Sequence, residues 1–351
     1  MEIGIDARLI NQTGVGRYTR NLYDQISRID NSNHYQLLKP DISWHSIKEQ
    51  LYFPIWLFNK KIDLVHFTYF SFPVFCPKKF ILTIHDLIPW HYATGKASTL
   101  PGFVYFVKQF FYKIILWIGA RRASKIIAVS ESTKKDIIKT LHINPDKIEV
   151  VYEGVDKNLQ KKSAVNFPRN FILYVGNAYP HKNLERLLQA YAAFCKKNNG
   201  INLPKLVLAG PDDYFYKLIK KQVLNLNLED LVIFTGSIKD SQLNFLYENA
   251  KGFITASVSE GFGLPGLEAM SFGCPIACSD IGIFKEIYAD IPRYFNPKKI
   301  EDIQKALFWM INLSDEKRRQ LKVSAKNRAK IFSWEKCAKK TIRIYESCHS
   351  L

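Results

Sequence analysis

Short runs of apolar residues alternate along the chain with longer stretches in which apolar positions recur every three or four residues. In the first half, Glu2–Ile5, Leu64–Phe67, Phe80–Ile84, Lys125–Val129 and Ile148–Tyr152 read as strands; in the second, Phe171–Val175, Lys205–Ala209, Leu231–Thr235, Gly252–Ala256 and Pro275–Ser279 do. Most are continuously apolar rather than alternating, the pattern of parallel strands covered on both faces. Helical patterns such as Asn183–Lys197 lie between them and complete repeated β-α units. After Tyr152 the alternation stops in a polar, Lys-rich stretch that runs through Arg169, and it restarts at Phe171. That break predicts two doubly wound α/β domains, residues 1–165 and 166–331, followed by a closing helix over 332–351. Ser333 is the expected N-cap of that helix. Ligand sites are expected at the carboxyl ends of the strands.

Composition fits this division. The chain has 351 residues, 47% hydrophobic and 23% charged, an ordinary globular balance too long for one small core. The formal charge of +18 adds a partner class, because a surplus of that size attracts anions, although a Lys-rich surface also serves plain solubility. A nucleic-acid surface would concentrate its cations in a stripe interleaved with aromatics, and here they are dispersed, so nucleic acid is not an expected partner. Of six cysteines only Cys274 and Cys278 are close, with no second Cys or His pair nearby, a poor zinc pattern. They read as reduced thiols of a cytoplasmic protein, and the strand-like start Met1-Glu2-Ile3-Gly4-Ile5-Asp6 shows no secretory leader.

Four segments carry candidate chemistry. In Glu260-Gly261-Phe262-Gly263-Leu264-Pro265-Gly266-Leu267-Glu268, glycines permit tight backbone and Pro265 suits a first helical residue. The segment reads as strand, glycine loop and helix start, where free N–H groups favour phosphate. Glu260 and Glu268 could accept hydrogen bonds from hydroxyls; the same string also fits a β-α turn with two solvated glutamates. In Tyr174-Val175-Gly176-Asn177-Ala178-Tyr179-Pro180-His181-Lys182-Asn183, Lys182 stands just before a helix, where its charge could meet a diphosphate. Thr13-Gly14-Val15-Gly16-Arg17-Tyr18 lacks the third glycine of a dinucleotide fingerprint. His85, in Leu82-Thr83-Ile84-His85-Asp86-Leu87, ends a strand and is either a satisfied buried histidine or a site residue; Asp86 either fixes the loop or contacts an acceptor.

Read together, these segments resemble glycosyltransferase family 4. Glu260 and Glu268 match that family's Glu–seven residues–Glu motif, and Ala269-Met270-Ser271-Phe272-Gly273-Cys274-Pro275-Ile276 is similar to its usual continuation. The resemblance runs in order along nearly the whole chain, with Ser130 and Phe234-Thr235-Gly236-Ser237 as smaller matches. It implies the GT-B fold: two Rossmann-like domains facing each other across a cleft, with the last helix packing back on the N-terminal one. It further implies retaining, metal-independent and cofactor-free transfer from a nucleotide sugar to a glycan or lipid-linked acceptor. By carry-over, Glu260 contacts the sugar hydroxyls and Glu268 the ribose; Gly261, Phe262, Gly263 and Leu264 line the diphosphate and sugar. Lys182 and Asn177 join the donor site, although His181 stands where the family usually has Arg. Gly14 and Gly16 lie beside the donor, His85 lies beside the transferred sugar, and Arg17 and Asp86 are candidate acceptor contacts.

The style of Gly4-Ile5-Asp6-Ala7-Arg8 and Tyr179-Pro180-His181-Lys182-Asn183 is similar to bacterial mannosyltransferases. That makes GDP-mannose the first donor choice and a UDP- or dTDP-sugar the second. An epimerase or a non-catalytic sugar-nucleotide binder of the same fold is the alternative. The apolar run Phe103–Ile118 reads as too short and too charged to span a bilayer, and fits either a partly buried helix or a face docking on an anionic membrane. The latter predicts peripheral attachment at the inner face of the cell membrane.

Overall fold

The structure is a computed structural model that describes residues 1–12, 14–92, 102–155, 167–198 and 202–349. Two compact units emerge, Met1–Gly154 with Phe332–Leu351, and Val155–Ile331. The expected boundary between residues 165 and 166, most of the Lys-rich linker and Thr13 lie outside the described residues.

In the first unit the chain runs β1 (Glu2–Asp6), α1 (Val15–Ile29), β2 (His34–Leu38), α2 (Ile47–Phe58), β3 (Leu64–Phe67), β4 (Lys79–Ile84), α3 (Ile88–His91), α4 (Gly102–Arg122), β5 (Lys125–Ala128), α5 (Glu131–Leu141) and β6 (Ile148–Val150). The sheet order is β2-β1-β3-β4-β5-β6, all pairs parallel. The second unit runs β7 (Phe171–Val175), α6 (Leu184–Lys197), β8 (Lys205–Ala209), α7 (Tyr214–Asn225), β9 (Val232–Gly236), α8 (Asp240–Asn249), β10 (Gly252–Thr255), α9 (Leu264–Phe272), β11 (Ile276–Ser279), α10 (Gly282–Tyr288), β12 (Arg293–Phe295), α11 (Ile300–Ile311) and α12 (Asp315–Ala329). Its order is β12-β11-β10-β7-β8-β9, again wholly parallel. Strands buried on both faces follow from the continuous apolar runs, and each sheet forms the centre of its unit's core.

Two strands escaped the apolar-run reading, β2 and β12. Both are sheet edges. β2 opens on exposed His34 and carries Gln36, and β12 has three residues beginning with exposed Arg293, so neither shows an uninterrupted apolar run.

The last helix, α13 (Trp334–His349), packs on α1 in the first unit. Ser333 Oγ accepts from the Lys336 N–H at 3.2 Å, as its capping role requires. Close approach of Gly154 seats the start of this helix: a Cβ there would lie 2.1 Å from the Trp334 nitrogen and 2.5 Å from the Ser333 carbonyl carbon. Backbone cannot yield as a flexible side chain does. Gly154→Ala is therefore expected to destabilise the first unit by about 1–3 kcal/mol, seen as a lower urea midpoint.

Helix α4 is longer than its apolar run. At 21 residues and mean hydropathy 1.3 it is, by length and composition, long and apolar enough to cross a membrane, which corrects the expectation of a segment too short to do so. The added length comes from Gly102 before the run and from Gly119-Ala120-Arg121-Arg122, which continue the helix beyond Ile118. Only Leu116, Gly119 and Ala120 are buried in the unit, whereas Phe103, Phe106 and Phe110 are 82%, 68% and 61% exposed.

Candidate active site

The second unit's sheet is built outward from β7: β8 and β9 extend one way, and the chain then returns to place β10 on the other side. The reversal between β7 and β10 is a topological switch point, where loops diverge and leave a ligand crevice. The Lys182 segment follows β7 and the Glu260 segment follows β10, so strand order brings together two motifs far apart in sequence. Lys182 Nζ lies 2.7 Å from both carboxylate oxygens of Glu260, with side chains only 16% and 14% exposed. Ser257 donates to Glu260 Oε1 at 2.7 Å. The Val258 N–H donates to the His181 carbonyl at 2.8 Å, tying the two loops together. Asn183, in the left-handed region at φ 58°, donates to the carbonyls of Ala256 and Pro297 at 3.0 and 2.9 Å. Ser257 is a site residue that motif reading overlooked, and Asn183 lay within the motif without a role, because short polar side chains of this kind populate every loop.

Burial pushes the Glu260 carboxyl up, but the charge and hydrogen bonds of Lys182, with Ser257, outweigh it and hold the group below its ordinary value. Burial, then the neighbouring Lys182, push His181 down to about 4, so this histidine is neutral near pH 7 and does not supply the charge of the Arg usual at its position.

The glycine loop has the expected form. Gly263 is the N-cap of α9 at φ 88°, and Pro265 is its second residue rather than its first. No side chain caps the helix, and the Tyr288 hydroxyl donates to the Gly263 carbonyl. Phe262 is buried, Gly261 also, and Leu264 partly so. Glu268 occupies the second turn of α9 and accepts from the Tyr247 hydroxyl at 2.9 Å. At 3% exposure it is not a solvated glutamate, and neither is Glu260. Asn177 lies in the turn after β7, its carbonyl held by the Tyr174 hydroxyl at 2.7 Å. Among the described residues no group of three or more His, Cys, Asp or Glu is placed to hold a metal ion.

In the first unit, His85 follows β4 with both ring nitrogens engaged: Nδ1 lies 3.0 Å from Glu153 Oε1, and Nε2 lies 2.9 Å from the Thr68 carbonyl. The Thr68 carbonyl can only accept, so Nε2 carries a proton, and Nδ1 faces the Glu153 carboxyl, a neighbour that favours the charged form of the ring. Burial opposes that charge, but Glu153 and the Thr68 carbonyl prevail and raise the group above its ordinary 6.5. Glu153 belongs to the stretch that closes the first domain, and nothing near it in sequence marks it as a partner of His85. A raised folded value contributes stability that is fully present below the unfolded value near 6.5 and is lost as pH rises through the folded value. Melts from about pH 5.5 to 8.5 should show this loss in the wild type, and Glu153→Gln should remove that part of the pH dependence.

Asp86 Oδ1 accepts from the Ile88 N–H at 2.9 Å, the loop-fixing role. Gly14 adopts φ 69° and faces open space, but a Cβ on Gly16 would fall 2.5 Å from the Ile10 carbonyl oxygen. The space at Gly16 is thus filled by the chain's own backbone rather than left for a ligand. Arg17 lies in the first turn of α1, partly buried.

Comparison with known proteins points to glycosyltransferases. Residues 11–159 match the model of Glycosyltransferase Family 4, and residues 155–328 match that of Glycosyl transferases group 1. The chain is 30% identical over 251 residues to the O-antigen chain mannosyltransferase RfbU of Salmonella typhimurium, a match covering 71% of this chain and 64% of that protein, just under two thirds of its length. Among solved structures, it is similar to a sucrose-phosphate synthase from Thermosynechococcus elongatus (TM-score 0.79, 18% identity, 100% of this chain and 99% of that one). HepE of Anabaena, solved in complex with UDP and glucose, gives a TM-score of 0.75 at 16% identity, with 100% of both chains covered. At such identities these structures establish the GT-B fold.

Proposed function

The chain belongs to the family 4 glycosyltransferases, and from that premise we propose that it is a retaining hexosyltransferase. It moves mannose from a nucleotide-diphosphate sugar, GDP-mannose first, to a glycan or lipid-linked glycan in surface polysaccharide synthesis. The observation that carries this reading is the Lys182–Glu260 pair at the β7/β10 switch point, beside an uncapped, glycine-started helix.

Each part has a role there. Departure of the nucleoside diphosphate builds negative charge, which Lys182 and the N–H groups at the start of α9 offset. Backbone from Gly261 to Leu264 lets the diphosphate approach. Glu260 accepts from hydroxyls of the transferred sugar once Lys182 has turned to phosphate, and Glu268, oriented by Tyr247, accepts from the ribose. His85 has both ring nitrogens engaged, by Glu153 and the Thr68 carbonyl, which argues against a general-base role for it. The name of RfbU supports mannose, and the UDP and glucose of HepE support a UDP-sugar as the second reading.

Exposed Phe103, Phe106 and Phe110 on α4, with Arg121 and Arg122 at its end, support peripheral attachment to an anionic membrane surface on the cytoplasmic side. Absence of flotation with anionic liposomes at low salt would refute that part. Transfer itself is tested by incubating the protein with GDP-mannose and a mannose-terminated oligosaccharide, then reading released nucleoside diphosphate and product anomer by NMR. An α-linked product is expected. Diphosphate release with inverted product would refute retention, and tight nucleotide binding with no product from any donor would favour a binder or epimerase.

A further inference from the structure

The Asp6-Ala7-Arg8 segment, which the proposed donor site does not use, organises a buried, multiply bonded polar cluster in the first unit. That unit's sheet has its own switch point between β1 and β3, because β2 lies on one side of β1 and β3 to β6 lie on the other. Asp6 ends β1, and Thr68 to Ser71 follow β3, so the cluster sits where ligand loops diverge. Arg8 forks onto Asp6 Oδ2 at 2.7 Å and Glu49 Oε1 at 2.8 Å, donates to the Ser71 carbonyl at 2.8 Å, and packs 4.4 Å from the Phe53 ring centre. Side-chain exposures of Arg8, Asp6 and Glu49 are 4%, 9% and 1%.

A buried ionic cluster is a poor way to gain stability, so its geometric output matters more. Both acceptors at its outer edge are aimed at one backbone N–H: that of His45, which donates to Glu49 Oε2 and Ser71 Oγ, each at 3.1 Å. His45 is a non-glycine residue at φ 52°, a strained conformation that persists only where its surroundings fix it. The strain displays a set of rings. His45 is exposed, 5.3 Å from half-exposed Trp44 and 6.1 Å from part-exposed Tyr69, whose ring lies 3.8 Å from that of Phe70 at a tilt of 31°. Tyr112 closes the cluster 5.4 Å from Phe70, and its buried hydroxyl has no partner among the described residues. Tyr69 adjoins Thr68, whose carbonyl holds His85.

We propose that Trp44, His45 and Tyr69 form a subsite for one pyranose ring of the acceptor glycan, and that Asp6, Arg8 and Glu49 are the positioning residues that hold it. The proposal rests on the glycosyltransferase reading. Ring C–H bonds of a pyranose carry partial positive charge and pack on the negative π faces of Trp44 and Tyr69. The His45 imidazole supplies a polar edge for hydroxyls, the mix of aromatic walls and few polar groups usual in small-ligand sites.

Saturation-transfer NMR with mannotriose tests this. Saturation should reach the probe's ring protons in the wild type, fall at least fivefold in Trp44→Ala and Tyr69→Ala, and return in Trp44→Phe. Glu49→Ala should lose the signal and Glu49→Gln, whose side-chain oxygen still accepts from His45, should restore it. The rise in melting temperature caused by nucleotide should be unchanged in these variants, which also shows that they fold. Undiminished transfer in both ring-to-Ala variants, no transfer to mannotriose in the wild type, or equal transfer from GMP at the same rings would overturn the proposal. Failure of the glycosyltransferase reading would show differently, as absence of any nucleotide effect on melting.

Discussion

Lys182→Ala and Glu260→Ala are each expected to lower transfer by about 10²–10³-fold, the effect of removing one preorganised group that meets developing charge. The two variants should fail in different ways. Without Lys182 the leaving diphosphate loses its point charge, and Glu260 is left mostly buried without its ion-pair partner, Ser257 still donating to it. Without Glu260 the lysine keeps its charge and remains available to phosphate, so nucleotide binding should survive while turnover falls. The double variant separates this from a structural account. If the pair merely held the β7 and β10 loops together, removing both partners would cost less than removing one, because no uncompensated charge remains. If both groups act on the donor, the double variant stays at least as inactive as either single one. Initial rates and nucleotide titrations of the three proteins read the difference.

Gly263→Ala is expected to weaken nucleotide binding at least tenfold and to destabilise the second unit. The left-handed conformation at φ 88° costs an alanine about 1–2 kcal/mol. Its Cβ would also lie 2.4 Å from the Tyr288 hydroxyl oxygen and 2.9 Å from the Phe284 ring, an overpacking worth about 1–3 kcal/mol. Relief requires the loop or Tyr288 to move, and Tyr288 is the residue that fixes the Gly263 carbonyl. Gly14→Ala is the natural contrast. Its φ of 69° is also positive, but its ψ of −88° lies outside the left-handed well, so the conformational cost is at least as large; its Cβ meets open space, so no overpacking cost is added in its melting. Calorimetric titration with nucleotide and urea melts of both variants check the pair.

Much of this molecule was legible in its residues. Continuous apolar runs such as Phe171–Val175 and Phe80–Ile84 betray parallel central strands, and both sheets are parallel throughout. Edge strands are weaker signals: β2 is paired on one side only and alternates polar His34 and Gln36 with Tyr35 and Leu37, so its short period resembled a loop. Local geometry of the site was equally readable. The glycine loop into α9 needs only neighbours in sequence, and Lys182 needs only its place before α6. Pairings across the fold were not. Lys182 and Glu260 are 78 residues apart and meet because β7 and β10 are adjacent, a fact of strand order. His85 and Glu153, 68 residues apart, meet at the first sheet's carboxyl edge across β5, which separates β4 from β6. A lone histidine at a strand end gives no hint that both of its nitrogens are already engaged. The Asp6–Arg8 ion pair shows the same limit: its partners are two residues apart, but Glu49 and Ser71 complete the cluster only once α2 and the loop after β3 are in place.

The central claim is that the loops after β7 and β10, with the start of α9, bind the diphosphate of a nucleotide sugar. Thermal melting of the whole chain against GDP, UDP, dTDP and their sugar conjugates tests it most directly. One base should raise the melting temperature in a concentration-dependent way, and the rise should vanish in Lys182→Ala and Gly263→Ala while persisting in Trp44→Ala. A panel in which no nucleotide stabilises the protein, or in which the donor-loop variants respond as the wild type does, would contradict the assignment of this site.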